Sequence, residues 1–188
     1  MSKILVDTID TRSGTSNITI GSSNASQITL KSGATLTNYP ANTPAFKVKL
    51  SSNQSISTST TTKIAFDTEL YDTDNAFDNS TNYRFTVPTG KGGKYHFSGI
   101  VIVRNIDLDE QNSIRIWVNG SDTVSGLNVY RMTQYGTGNN TFTTAPVSAD
   151  IDLSEGDYVE LRVFQNEGSS QDVDSGYTHF EGFRLIGA

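Results

Sequence analysis

Apolar and polar residues alternate with a period of two along most of the chain beyond residue 44. Such alternation predicts strands that bury one face, and the Gly-, Asn-, Asp- and Ser-rich stretches between them supply turns. No window of a dozen residues has the apolar spacing of an amphipathic helix. The alternating segments are Phe46/Val48/Leu50, Ile64/Phe66, Tyr83/Phe85/Val87, Tyr95/Phe97, Ile114/Ile116/Val118 and Val159/Leu161/Val163. About eight to ten short strands with turns between them predict an all-β sandwich or jelly roll.

Two segments depart from this simple alternation. Apolar residues fill both faces of the segment Gly99–Val103, whereas one face of an antiparallel sheet usually meets water. Another sheet, a loop or another subunit must cover the second face, so Ile100 and Ile102 are candidates for a subunit interface. A buried central strand would explain the pattern equally well. Near the end of the chain the apolar parity changes around Gly182, which predicts a β-bulge there.

Composition changes near residue 43 and divides the chain into two predicted parts, 1–43 and 44–188. The first part has a single aromatic residue and a net charge of +1, whereas the second has 17 aromatic residues and a net charge of −7. A ten-residue pattern occurs twice in the first part, and its apolar positions are Ile18, Ile20, Ile28 and Leu30. One short strand per copy cannot bury its apolar face within one chain, which predicts that these residues join several chains. The alternative is a flexible linker.

Charge and composition argue against several classes of protein. The chain has 14 basic and 20 acidic residues, a net charge of −6, which argues against binding nucleic acid or anionic membranes. It has no cysteine, so disulfides, thiolate zinc sites and cysteine nucleophiles are excluded. The longest apolar run is too short to span a bilayer, and the first residues lack the apolar core of a secretory signal. We therefore expect no membrane insertion.

Candidate catalytic residues are few. The two histidines, His96 and His179, lie in predicted strands, and neither stands in a nucleophile-elbow sequence. The acidic residues Asp107, Asp109 and Glu110 cluster in a predicted loop. They would supply the two carboxylates that a glycosidase needs, but a solvated acidic loop explains them as well.

The segment 72–78 invites comparison with a calcium-binding loop. Acidic residues occupy positions 1, 3 and 7 of an EF-hand spacing, but Phe77 replaces the glycine of position 6 and Tyr83 stands at position 12. The segment therefore fails as an EF-hand, and no cofactor is expected. Asp72 and Asp74 remain weak candidates for binding calcium, and the alternative is that they are turn residues.

Three motifs in the second part resemble the C1q/TNF-like family. They are the set Phe66, Asp72, Phe77 and Phe85 with Gly93-Lys-Tyr95-His-Phe97, the segment Gly156-Asp157-Tyr-Val159, and the ending Phe180-Glu-Gly182-Phe183-Arg-Leu185. The resemblance covers about residues 45–186. It implies a jelly roll of about ten strands that assembles into a homotrimer and binds other macromolecules without catalysis. Some members of the family bind calcium near the trimer axis, which is the reason for retaining the two aspartates.

The segment Ile4–Gly14 and the repeats after it are similar to the leader sequences of tail-fibre and other virion proteins of tailed bacteriophages. Combined with the first resemblance, this implies a phage virion protein of the tail-fibre or head-fibre (decoration) type. Residues 1–43 would form a trimeric anchor or shaft that contacts other virion proteins. The absence of cysteine agrees with assembly in the cytoplasm of a bacterial host.

On this interpretation residues 44–188 form a non-enzymatic head that binds a glycan or protein of the host surface. The candidate receptor contacts are Tyr130, Tyr135, Asp107 and Asp109, and the tyrosines would equally suit packing between subunits. Two alternatives remain open at this point. One is a bacterial extracellular C1q-like lectin or adhesin, and the other is a fibre enzyme that cleaves glycans.

Overall fold

The computed structural model describes Ser32 and residues 42–106, 110–122, 130–133 and 142–186, with the backbone alone for 130–133 and 142–145. The chain divides into two units, Met1–Tyr39 and Pro40–Ala188. The described residues of the second unit form thirteen strands: β1 (Ala45–Lys49), β2 (Gln54–Ile56), β3 (Thr62–Lys63), β4 (Thr68–Asp72), β5 (Phe77–Asp78), β6 (Arg84–Thr86), β7 (Gly93–Arg104), β8 (Gln111–Val118), β9 (Tyr130–Thr133), β10 (Phe142–Leu153), β11 (Tyr158–Gln165), β12 (Gln171–Val173) and β13 (His179–Arg184).

The strands pair antiparallel in two sheets. The seven-stranded sheet, termed the β7 sheet, has the order β2-β12-β7-β13-β1-β4, with β10 also paired to β7 along its whole length. The six-stranded sheet, termed the β11 sheet, has the order β5-β6-β11-β8-β9, with β3 also paired to β11. The predicted all-β sandwich is confirmed. The described strands outnumber the predicted ten or so, in part because β3 and β5 are pairings of two residues, too short to leave a periodic pattern.

One apolar core lies between the two sheets. The ring of Phe46, from the β7 sheet, lies 5.1 Å from the ring centroids of Phe77 and Phe85 in the β11 sheet. Most of the predicted apolar positions are buried here, because strict alternation directs them to the same side of each sheet. Tyr83 departs from the pattern, because it precedes β6 with a φ of 49° and is half-buried.

The predicted bulge at Gly182 is wrong. β13 pairs in continuous register with both of its neighbours, so Gly182 lies opposite Phe46 on one side and Phe97 on the other. The apolar parity changes because Phe180 points inward and Phe183 outward, with Gly182 at an inward position that has no side chain. The described bulge of this part of the sheet lies instead in the pairing of β1 with β4.

Candidate functional site

The outward side chains of β7 and of its neighbours β10 and β13 form one surface, termed the β7 face. Every second residue of β7 is buried, so the residues between them point away from the core. Ile100 and Ile102 are among these outward residues, and both are half-buried. In the register, Ile100 lies between His179 of β13 and the exposed Pro146 of β10. An apolar stripe therefore crosses the middle of the outer surface of this sheet.

A histidine–aspartate contact and an ion pair border this stripe. His96 Nδ1 lies 2.7 Å from Asp150 Oδ1, and the His96 ring lies 5.4 Å from the ring of Phe183. Lys47 Nζ lies 2.8 Å from Glu181 Oε2. Pairs this exposed contribute little to the stability of an isolated chain. Their importance is that they give the β7 face a charged border around an apolar centre.

An apolar centre with a polar border is typical of surfaces that bind protein. Covering Ile100 and Ile102 fully would contribute about 1 kcal/mol per side chain, after allowing for the area already buried. The sequence placed both residues on a second covered face of their strand. The structure places both on the outer surface of the sheet, where a second copy of the chain would reach them.

Several of the predicted site residues lie outside the residues that the structure describes. Tyr130 is the first residue of β9, where its backbone pairs with Ile114, and its side chain is not described. The candidates for the first part of the chain and for the loops stay predictions: Ile18, Ile20, Ile28, Leu30, Asp107, Asp109 and Tyr135.

The two calcium candidates hold the loop that follows β4. Asp72 accepts the backbone N–H of Phe77 at 2.7 Å and that of Asp74 at 3.2 Å. Asp74 Oδ2 accepts the hydroxyl of Thr73 at 2.6 Å, and its Oδ1 lies 3.9 Å from Lys91 Nζ. Among the residues described, no three His, Asp or Glu are grouped so as to hold a metal ion. Calcium at this loop stays a prediction.

An open pocket of about 470 Å³ adjoins this loop, and its charged lining is acidic: Asp74, Asp78 and Glu155. Glu155 Oε2 accepts the backbone N–H of Gly90 at 2.9 Å, and this hydrogen bond lowers the pKa of Glu155. Glu155 therefore already caps a backbone group of a neighbouring loop, and Asp74 is engaged by the hydroxyl of Thr73.

The hydrogen bonds that Asp78 accepts predict that the stability of the fold depends on pH. Its carboxylate accepts the backbone N–H groups of Thr81, Ser80 and Asn82 at 2.9–3.1 Å, and these bonds hold the pKa of Asp78 well below its ordinary 3.8. A lowered folded-state pKa stabilises the fold above the unfolded value, and this contribution is lost as pH falls. We expect Asp78→Asn to be less stable than the wild type at pH 7, and the two urea-unfolding free energies to converge toward pH 2. A gap that stays constant with pH would contradict this assignment.

The comparisons with known proteins decide the family. The family model of the C1q domain matches residues 45–185. The chain belongs to the C1q domain family. The globular domain of zebrafish complement 1qA resembles its fold, with a TM-score of 0.52 and 18% identity over 76% of this chain and 98% of that chain. The Eiger TNF of S. frugiperda has a TM-score of 0.49 and 12% identity over 77% of this chain and 92% of that one. No curated protein sequence matches the chain.

Membership confirms the predicted C1q/TNF-like jelly roll. C1q and TNF domains typically form homotrimers and are generally non-enzymatic. Among the residues described, no helix is long and apolar enough to cross a membrane.

Sequence reasoning missed the contacts that give this C1q domain its polar surface features. Alternation along β7 directs His96 away from the buried Tyr95 and Phe97. The partner of His96, Asp150, is 54 residues away in sequence. Only the pairing of β7 with β10 brings the two together, and no local pattern in the sequence indicates that pairing.

Proposed function

We propose that the chain is a homotrimeric, non-enzymatic structural protein of a tailed-bacteriophage particle, with the C1q domain as a head that binds the host surface. The observation that carries the trimer is the apolar stripe of the β7 face at Ile100 and Ile102. These side chains are half-exposed on the outer surface of a sheet in a domain family that typically forms homotrimers. Assembly would bury them.

The rest of the proposal concerns the first part of the chain. Residues 1–43 serve as the anchor or short shaft and bind other virion proteins, and the protein is assembled in the cytoplasm of the bacterial host. The similarity of the segment Ile4–Gly14 to phage leader sequences supports this. The place in the particle would be a tail fibre, or a head fibre or decoration.

The head contacts a glycan or protein of the host surface, and three heads on one trimer add avidity to weak single contacts. Under this proposal Tyr130 and Tyr135 are the first residues to test as contacts, because a tyrosine offers a partner both an apolar ring and a polar hydroxyl. Replacing both with alanine should weaken binding of the labelled protein to host cells without changing its mass in solution.

The trimer interface is tested by placing charges in the apolar stripe. The double variant Ile100→Asp/Ile102→Asp would bury two carboxylates that have no partner, which costs several kcal/mol per subunit contact. We expect this variant to be a folded monomer by light scattering and circular dichroism. A milder pair, Ile100→Ser/Ile102→Ser, should shift the monomer–trimer balance and keep the fold if the double aspartate fails to fold.

The matched control is Ile186→Asp. Ile186 is 47% exposed, follows β13 and is not part of the stripe, so the same change of side chain there should leave the mass unchanged. An Ile100→Asp/Ile102→Asp variant with the wild-type mass would contradict the assignment of the interface to the β7 face.

Membership in the virion is tested on purified particles. Mass spectrometry of particles from the host system should detect this chain in a copy number divisible by three, and antibodies to residues 44–188 should label intact particles. Particles that lack the chain would leave the bacterial lectin as the remaining interpretation.

A further inference from the structure

The two sheets carry opposite charge. The strands of the β11 sheet contain five basic and two acidic side chains, a net charge of +3. The strands of the β7 sheet contain five basic and six acidic side chains, a net charge of −1. Because the whole chain has a net charge of −6, the β11 sheet is a local concentration of positive charge in an acidic protein.

Two arginines of this sheet stand directly opposite each other. Arg115 of β8 pairs in register with Arg162 of β11, and like charges in such positions repel. Their neighbours reduce the repulsion. Arg162 Nε donates to Glu160 Oε1 at 2.6 Å, and Arg115 Nη1 lies 2.6 Å from Asp122 Oδ2.

Glu160 neutralises only part of this charge. Its side chain is 1% exposed, and its second oxygen, Oε2, lies 2.5 Å from Lys63 Nζ. One buried carboxylate therefore pairs with two cations, Lys63 and Arg162. The side chains of Lys63, Arg115 and Arg162 retain 29%, 25% and 23% exposure, so part of each side chain is accessible to solvent.

Aromatic rings hold two of the guanidinium groups in place. Arg162 Cζ lies 4.1 Å from the centroid of the Trp117 ring, and Arg84 Cζ lies 3.9 Å from that of Tyr158. Such stacking limits the freedom of a long side chain before a ligand arrives, which lowers the entropic cost of binding.

The outer positions of β8 also contain polar atoms without a partner. Ser113, Arg115 and Trp117 alternate with the inward Ile114 and Ile116 along this strand. Ser113 Oγ, Arg115 Nε and Trp117 Nε1 are buried and have no hydrogen-bond partner in the part of the chain that the structure describes. Buried polar groups in proteins are nearly always paired. Two of the three, Arg115 Nε and Trp117 Nε1, are pure donors.

We propose that the outer surface of the β11 sheet around Arg115, Trp117 and Arg162 binds an anionic saccharide, through a sulfate or carboxylate group held between the two guanidiniums. Glu160 engages Nε and Nη2 of Arg162, and Asp122 engages Nη1 of Arg115. The other guanidinium nitrogens would donate to the oxygens of such a group. This inference rests on the proposed function, because it names the class of glycan that the head would contact.

Trp117 is the single tryptophan of the chain, so its fluorescence reports directly on binding at this site. The intact protein is titrated with a sulfated galactan tetrasaccharide, its desulfated counterpart, a uronic-acid tetrasaccharide of equal length and sodium sulfate, while tryptophan fluorescence is recorded. We expect saturable changes with the two anionic sugars and none with the neutral one. Sodium sulfate should compete only at much higher concentration. Equal responses to the neutral and sulfated sugars, or none to either anionic sugar, would overturn the proposal.

Substitutions then locate the site. Arg115→Gln and Arg162→Gln should each weaken binding of the sulfated sugar about tenfold, which corresponds to the loss of one charge-assisted hydrogen bond. Arg115→Lys keeps the charge but not the fork and should fall between the wild type and Arg115→Gln. Lys94→Gln is the control, because Lys94 is an exposed cation of the β7 sheet. An equal loss with Lys94→Gln would mean general charge attraction and would also overturn the site.

The outcome is separable from the proposed function. The mass of each variant reports the trimer, and the fluorescence of Trp117 reports the sugar site. A trimer that binds cells but no anionic sugar refutes this inference alone, whereas a monomeric wild-type chain refutes the proposed function whatever the sugar titration shows.

Discussion

Replacing Phe46 with alanine should lower the free energy of unfolding by about 3–5 kcal/mol. Phe46 is 1% exposed, and its ring lies 5.1 Å from those of Phe77 and Phe85 and 5.3 Å from that of Phe180. Its removal would leave a cavity at the point where rings of both sheets meet, and the strands that carry these rings would have to move to fill it. The loss is a large fraction of the roughly 5–15 kcal/mol that is typical of a domain.

Urea unfolding followed by tryptophan fluorescence measures this loss, at one protein concentration because assembly shifts apparent stability. Tyr71→Ala is the control. Tyr71 is an aromatic residue of the neighbouring strand β4 with 48% exposure, so its removal should change the free energy by no more than about 0.5 kcal/mol. Similar losses for the two variants would mean that the core is not centred on Phe46.

Adding a single methyl group at Gly182 should cost about 1–3 kcal/mol. A Cβ atom there would lie 2.5 Å from Cδ1 and 2.8 Å from Cε1 of Phe97, and 2.9 Å from Cε1 of Phe46. These contacts are with rings that other core rings already hold on several sides, so neither ring can move away without displacing others. The strain should appear in Gly182→Ala as a lower midpoint of urea unfolding with an unchanged slope.

Gly92→Ala is the matched control, because its added Cβ would meet backbone atoms at an ordinary 3.5 Å. A second variant tests the cause. Phe97→Leu makes room beside Gly182, so the double variant should lose less stability than the sum of the single changes. If the losses in unfolding free energy simply add, or if Gly182→Ala does not change it, the rings of Phe97 and Phe46 do not fill the space beside Gly182.

Short-range pattern was sufficient to predict the core of this domain. Phe46 and Val48, or Val159 and Leu161, stand two apart with polar residues between them, and sterics alone place such pairs on the same side of a strand. The motif around Gly93, Tyr95 and Phe97 then indicated which family of sandwiches the strands form. The unbroken apolar run to Val103 predicted a second covered face that contains Ile100 and Ile102, and the structure places both half-buried on the outer surface of the sheet.

Contacts between distant strands could not be predicted in this way. Glu160 stands between Val159 and Leu161, so alternation predicts an outward, solvated side chain. Its burial depends on Lys63 and Arg162, and the former is 97 residues away in sequence. Gly182 shows the same limit. A missing side chain is consistent with a bulge or with a crowded inward position, and only the rings of the facing strands decide which.

Light scattering on the purified 188-residue chain after size exclusion shows whether the protein is a homotrimer in solution. We expect a mass three times the 20.4 kDa of the subunit, which the Ile100→Asp/Ile102→Asp variant reduces to that of one subunit. A wild-type mass of one subunit at micromolar concentration would contradict assembly into a homotrimer, because the apolar stripe of the β7 face would then stay exposed to water.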